Sequence, residues 1–214
     1  MKRKIFLNLF IIWISCIKMM AIAEVIDYDF NASSSDISGD YVIIGNKYDD
    51  EKGYRAGAAY IYKRSNGKWS QQVKLLAHDA KENDQFGTDV KISGDYAVIC
   101  SYYYDKEKYS YSYHPYIYQR TVDSWSYNEK LAYYGVSSPV AISGEYIVAN
   151  DCYKANSNYY YNNIYLYKMA QGSFKTVSNL SFSGSNASCQ AQVDISGNHI
   201  IFGYPCDNQN RFYI

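Results

Sequence analysis

Proline is almost missing, at 3 residues in 214, and histidine is equally sparse at 3. With 48% hydrophobic and 20% charged residues, the composition fits neither a collagen-like nor a disordered chain. An excess of one charge is also lacking. The 21 basic and 21 acidic residues cancel, so bulk charge gives no grip on nucleic acid. His78, His114 and His199 share no zinc-like spacing, and neither a Gly-x-Ser-x-Gly elbow nor a phosphate-cradling glycine loop occurs. Without paired groups for acid, base or nucleophile, the chain reads as a non-enzyme. What is abundant is tyrosine: 27 residues in a chain that is 18% aromatic, an inventory suited to β-strands.

The N-terminus reads as an export signal over 1–23. Lys2, Arg3 and Lys4 precede an apolar stretch from Ile5 to Ile17, and Ala21-Ile22-Ala23 supplies the small residues of a cleavage site. About 13 apolar residues are too few for a bilayer span of roughly 18–20, so no stable membrane span is expected after cleavage. The mature chain, 24–214, then carries 17 basic and 21 acidic residues. That mild acidity suits a secreted or cell-surface protein and opposes docking on anionic lipid.

Within the mature chain one pattern recurs four times. Asp36-Ile-Ser-Gly-Asp-Tyr41, Lys91-Ile-Ser-Gly-Asp-Tyr96, Ala141-Ile-Ser-Gly-Glu-Tyr146 and Asp194-Ile-Ser-Gly-Asn-His199 place their serines 55, 50 and 53 residues apart. In phase with it run Tyr60-Ile-Tyr62, Tyr116-Ile-Tyr118 and Tyr165-Leu-Tyr167, each followed by a bulky aromatic at Trp69, Trp125 or Phe174. The unit divides into two hairpins, one turning at Ser-Gly-Asp and one at turns such as Asn66-Gly67. Four short antiparallel strands per roughly 50 residues make a propeller blade. Runs such as Tyr41-Val-Ile-Ile44 are apolar on both faces, as strands stacked between neighbouring blades must be. The expected fold is all-β, a partial β-propeller of about 3.5–4 four-stranded blades, with repeats near 30–85, 86–135, 136–188 and an incomplete 189–214.

Phe86-Gly87 followed by Val90-Lys-Ile-Ser-Gly-Asp-Tyr96 resembles the FG-GAP repeat, a family that includes the integrin α-chain propeller and many exported microbial proteins. Gly57–Gln85 is similar to the second half of that repeat. The residues matching Phe86 in the later copies are Val136 and Cys189, and Phe30 stands one residue out of register in the first. The family's propellers have more blades than this length holds, and the sequence stops where Tyr213-Ile214 opens another Tyr-Ile-Tyr motif. The chain is therefore expected to be a fragment, a truncated product, or an arc needing self-association or missing blades to close its ring.

The resemblance implies a non-catalytic binding or adhesion module. Its specificity is expected in rim loops 46–57, 101–115 and 150–163, with a protein or glycan as ligand. Tyr102, Tyr103, Tyr104 and Tyr111, then Tyr159, Tyr160 and Tyr161, are the candidate contacts, since tyrosine offers rigid area and a hydroxyl at low entropic cost. Packing within an alternating strand is the competing reading for the same tyrosines. A propeller enzyme acting on polysaccharide, as a hydrolase or lyase, is the alternative function.

Family blades often carry a calcium loop, and its equivalent is Asn46, Asp49, Asp50 and Glu51. Tyr48 and Lys52 break the alternation of oxygens there, so a solvated turn is favoured over a metal and no cofactor is expected. With Gly197-Asn198 as a two-residue turn, Ser196 faces His199 and the same register sets Cys189 opposite Cys206, an expected cross-strand disulfide. Cys100 and Cys152 stay unassigned. Asn31, Asn179 and Asn186 open glycosylation sequons.

Overall fold

The computed structural model describes residues 31–105, 110–131, 140–156, 159–185, 192–204 and 211–213. The signal reading, Cys189, Cys206, Asn186 and the repeat positions Phe30 and Val136 lie outside them. The first sheet runs β1 (Ser34–Ser38), β2 (Tyr41–Asn46), β3 (Ala58–Ser65) and β4 (Lys68–Leu75), in sequence order and antiparallel. The second repeats it with β5 (Asp89–Ser93), β6 (Tyr96–Asp105), β7 (Ser110–Thr121) and β8 (Ser124–Lys130). The third is β9 (Val140–Ser143), β10 (Tyr146–Asn156), β11 (Tyr159–Ala170) and β12 (Ser173–Ser185). Three strands, β13 (Gln192–Ser196), β14 (His199–Tyr204) and β15 (Arg211–Tyr213), make the fourth. All-β and built of stacked antiparallel sheets, this is a partial propeller.

Turn chemistry sets the register. In each first hairpin a glycine leads a two-residue turn with positive φ, from Gly39 at 58° to Gly197 at 58°, so Ser38 faces Tyr41 and Ser196 faces His199. The residue after it keeps negative φ, the type II′ arrangement that matches strand twist. Asn66-Gly67 and Gln171-Gly172 close the second hairpins with both residues at positive φ, a type I′ turn. In the fourth sheet the pairing continues outward as far as Gln192 opposite Gly203.

Two expected loops are strands instead. Only 46–57 is a loop; 101–105 and 110–115 extend β6 and β7, and 150–156 and 159–163 extend β10 and β11. The alternating Ser110-Tyr-Ser-Tyr113 carries no proline or glycine to stop pairing, and Tyr102 lies opposite Tyr113, Tyr104 opposite Tyr111. Cross-strand aromatic pairs of this kind favour continued sheet.

The core sits between sheets. Tyr41, Ile43, Ala59, Ile61 and Leu75 of the first sheet pack on Val90, Ile92, Ala97, Ile99, Tyr116, Tyr118 and Trp125 of the second. Val98, Cys100 and Ile117 then pack on Ile147, Ala149, Tyr167 and Phe174 of the third. Inner strands β1, β5, β9 and β13 contact in that order. Ile43, Ile61, Ile99 and Ile117 are wholly buried, each worth about 1.5–3 kcal/mol relative to exposure.

The Phe86-Gly87 pair explains the tightest junction. Phe86 is fully buried, edge-on to Tyr116 with ring centroids 5.3 Å apart. Gly87 sits at φ 87°, and a Cβ there would lie 2.2 Å from the Ala58 carbonyl oxygen, so only glycine lets the two backbones pass.

Candidate functional site

The rim loop 46–57 is held from within and from below. The Asp49 carboxylate accepts from Glu51 N at 3.1 Å, Asp50 accepts from Arg55 N at 2.6 Å, and Gly57 N donates to the Asp49 carbonyl at 2.9 Å. The segment leading to Phe86 pairs with the loop: Asn83 N donates to Tyr54 O, Gln85 N to Arg55 O and Phe86 N to Ala56 O. So bound, the loop presents Tyr48, Tyr54 and Arg55 among its exposed side chains. Tyr48 is 42% and Tyr54 55% exposed, and the Arg55 guanidinium lies 5.4 and 5.0 Å from their ring centroids. With Asn31 and Asp50 they line a shallow pocket of about 340 Å³.

The acidic residues of this loop already hold a cation of the chain's own. Lys74 Nζ lies 2.8 Å from Asp49 Oδ2 and 2.6 Å from Glu51 Oε2, and the Tyr60 hydroxyl donates to Asp49 Oδ2 at 2.6 Å. Burial works to raise the Asp49 pKa, but the bonds from Lys74 and Tyr60 prevail and hold it below the usual carboxylate value. Asn46 Oδ1 accepts from Tyr48 N. The second sheet repeats the arrangement: Lys130 and the Tyr116 hydroxyl both donate to Asp79 at 3.0 and 2.8 Å. Among the described residues no group of three or more His, Cys, Asp or Glu is placed to hold a metal ion.

The tyrosines named from sequence occupy the extended hairpins. Tyr102 packs on Tyr113 at 4.5 Å and Tyr103 stacks on His114 at 4.6 Å; both are half-buried, while Tyr104 is 44% exposed. Burial pushes the Tyr113 hydroxyl up to about 12. Tyr111, Tyr159, Tyr160 and Tyr161 fall on β7 and β11, with their side chains outside the described set. Asn31 and Asn179 are exposed, and Cys100 is buried. Loop 46–57 is one of the segments expected to carry specificity, but Tyr48, Tyr54 and Arg55 are not among the contacts expected from sequence, because they carry no motif.

A second pocket, about 520 Å³, opens between the second and third sheets and is lined by Lys130, Asp151, Tyr165 and Lys175 among others. Asp151 is 9% exposed with one carboxylate oxygen lacking a partner, and burial raises its pKa.

The FG-GAP repeat family model matches residues 13–62 and 69–118. The chain carries FG-GAP repeats. Each match ends on the Tyr-Ile-Tyr strand, β3 or β7, and the second takes in Phe86-Gly87 and Ser93-Gly94, whose geometry is described above. No curated protein matches the chain. Among solved structures, the N-terminal domain of Nup159 is similar over 81% of this chain at 11% identity and a TM-score of 0.44. The FG-GAP chain spans about half that structure, 52%, and the likeness is too slight to carry an argument.

Proposed function

We propose that this chain is an exported, non-catalytic binding or adhesion module that holds a protein or glycan partner at its rim. FG-GAP repeats are typical of extracellular and cell-surface proteins, which supports export. The observation that carries the reading is the pair of exposed tyrosines around Arg55, on a loop whose backbone is tied at both levels. Tyrosine and arginine dominate binding hot spots, and a loop fixed beforehand loses little entropy on binding. Tyr104, exposed on the second sheet, is a further candidate contact. Lys74 neutralises the carboxylates beneath, so binding proceeds without calcium.

A glycan array and a panel of immobilised extracellular-matrix proteins, probed with the full chain, test this. Binding above background should fall about tenfold or more in Tyr54→Ala and Arg55→Ala with unchanged melting. It should also persist in chelator. No ligand on either panel, or binding indifferent to both substitutions, would sink the proposal.

A further inference from the structure

Several basic side chains of the first sheet are engaged by the chain's own carboxylates. Arg64 pairs with Asp40, Lys63 with Asp123, and Lys74 with both Asp49 and Glu51. Lys47 and Arg55 of loop 46–57 are spared. Lys47 Nζ and the Arg55 guanidinium lie 5.1 and 5.4 Å from the Tyr48 ring centroid, and neither forms an ion pair among the described residues. Asp50 lines the same pocket as Arg55, but its Oδ1 accepts from the Arg55 backbone amide at 2.6 Å.

The backbone holds Arg55 in place against its own preference. Its φ of 51° falls in the left-handed region, where asparagine or glycine sits with less strain. The bond from its amide to Asp50 and the bond from Gln85 N to its carbonyl, at 3.0 Å, fix that conformation. The guanidinium is thereby kept beside the exposed rings of Tyr48 and Tyr54. Backbone strain that supports an exposed, unpaired cation belongs at a ligand contact.

A guanidinium presents a planar fork of donors, which a carboxylate meets with two parallel bonds. The tyrosines add flat, partly apolar faces next to that fork. Both features fall within one pocket of about 340 Å³, a size suited to a small ligand unit. A single uronic-acid unit brings both counterparts at once, a carboxylate and the C–H face of a sugar ring. An acidic protein segment would have to bring them from separate side chains. We infer that the rim site takes an acidic glycan, Arg55 binding a uronate carboxylate and Tyr54, the more exposed ring, stacking on the sugar. Lys47 adds a second positive charge beside Tyr48. This names the ligand class of the rim site and rests on the reading proposed above.

Equilibrium binding of the full chain to immobilised polygalacturonate, alginate and hyaluronate tests this, with each polymer's methyl ester and poly-glutamate alongside. At least one acidic polymer should bind, and esterification, which removes the charge and keeps the ring, should weaken it about tenfold or more. Arg55→Lys should restore only part of what Arg55→Ala loses, because an ammonium lacks the fork. Tyr54→Ala should weaken binding several-fold and Tyr54→Phe should not. Arg55→Asn, which fits the left-handed backbone, should lose binding while melting at or above the parent temperature. No binding to any of the three polymers, equal binding of the esters, or poly-glutamate bound as tightly overturns the inference. If the wider glycan and matrix panels then yield a neutral or protein ligand that depends on Arg55, the rim reading stands and the acidic glycan alone falls. If they yield none, both fall.

Discussion

The junction between the first and second sheets and that between the second and third use one skeleton and fill it differently. In the first, Phe86 plugs the space between sheets, Asp79 is bound by Lys130 and Tyr116, and Gln72 meets Trp125. In the second, a pocket remains, Asp151 keeps an unpaired oxygen, and Phe174 needs no acceptor at the position of Trp125. The repeat supplies strands and turns; the quality of each junction is decided by a few residues between copies.

The largest effect should come from emptying the filled side. Phe86→Ala removes a wholly buried ring and is expected to cost about 3–5 kcal/mol in chemical denaturation. A loss under about 1 kcal/mol would mean that the two junctions are equally loose, ending the contrast.

Acid should act on the two junctions with opposite sign. Burial raises the Asp79 pKa less than its bonds to Lys130 and Tyr116 lower it, so the net shift is downward. Its contribution is present above the unfolded value near about 3.9 and is lost as pH falls below that. Asp151 is shifted upward by burial, so it favours folding when protonated, and that gain is lost as pH rises through its folded pKa. Asp151→Asn should therefore stabilise at neutral pH by about 1–2 kcal/mol, with the gain shrinking in acid. Asp79→Asn should destabilise by at most about 1 kcal/mol, since its side chain is 40% exposed and screened, with the loss shrinking in acid. Melting temperatures of both variants across pH check the two slopes.

Alkali should strain the second junction, where Tyr113 and Tyr167 both pack. Burial raises the hydroxyls of Tyr113 and Tyr167, in both cases to about 12. Folding thus favours their neutral forms, a contribution complete below the unfolded value near about 10 and lost as pH climbs from there toward 12. Tyrosinate absorbance should rise in step with loss of β-sheet circular dichroism. Ionisation of all tyrosines near the unfolded value, with the sheet intact, would contradict their burial.

What could be seen in the sequence was local. The Ser-Gly-Asp and Asn-Gly turns, the period and the strand pairs follow from short stretches whose chemistry fixes their own geometry. Features that join copies were invisible. Ser38, Ser93 and Ser143 looked like turn residues, yet each accepts a hydrogen bond from a glycine more than fifty positions away. The register shift opposite Ile61, Ile117 and Leu166 recurs in all three complete sheets and leaves Gln72 as the extra residue that faces Trp125, with no composition signal to announce it. The hairpins of β6–β7 and β10–β11 were placed as loops because tyrosine suits a binding rim and a strand equally well. At the rim, the acidic loop was legible but its neutralising partner Lys74 lies on another strand, 25 residues from Asp49.

The smallest expected effect concerns a turn that the first junction recruits. Val122 sits at φ 59° and is 90% exposed at the turn where the first and third sheets place Asn66-Gly67 and Gln171-Gly172. A β-branched residue is strained there, at about 1–2 kcal/mol. Its neighbour Asp123 accepts from Lys63 Nζ and, through its carbonyl, from Gln72 Nε2, both at 2.8 Å on the preceding sheet. No such grip is seen among the described residues at Gln171-Gly172. Val122→Asn relieves the strain and leaves Asp123 in place, so melting should rise by an amount equivalent to about 0.5–1 kcal/mol. Adding Asp123→Gly completes the sequence of the other turns but discards the Lys63 pair, an exposed contact worth little, while the carbonyl bond to Gln72 remains. If the double variant melts below the single one, the grip on Asp123 holds the first junction more firmly than its exposure implies, and the difference between the two junctions reaches their outer strands.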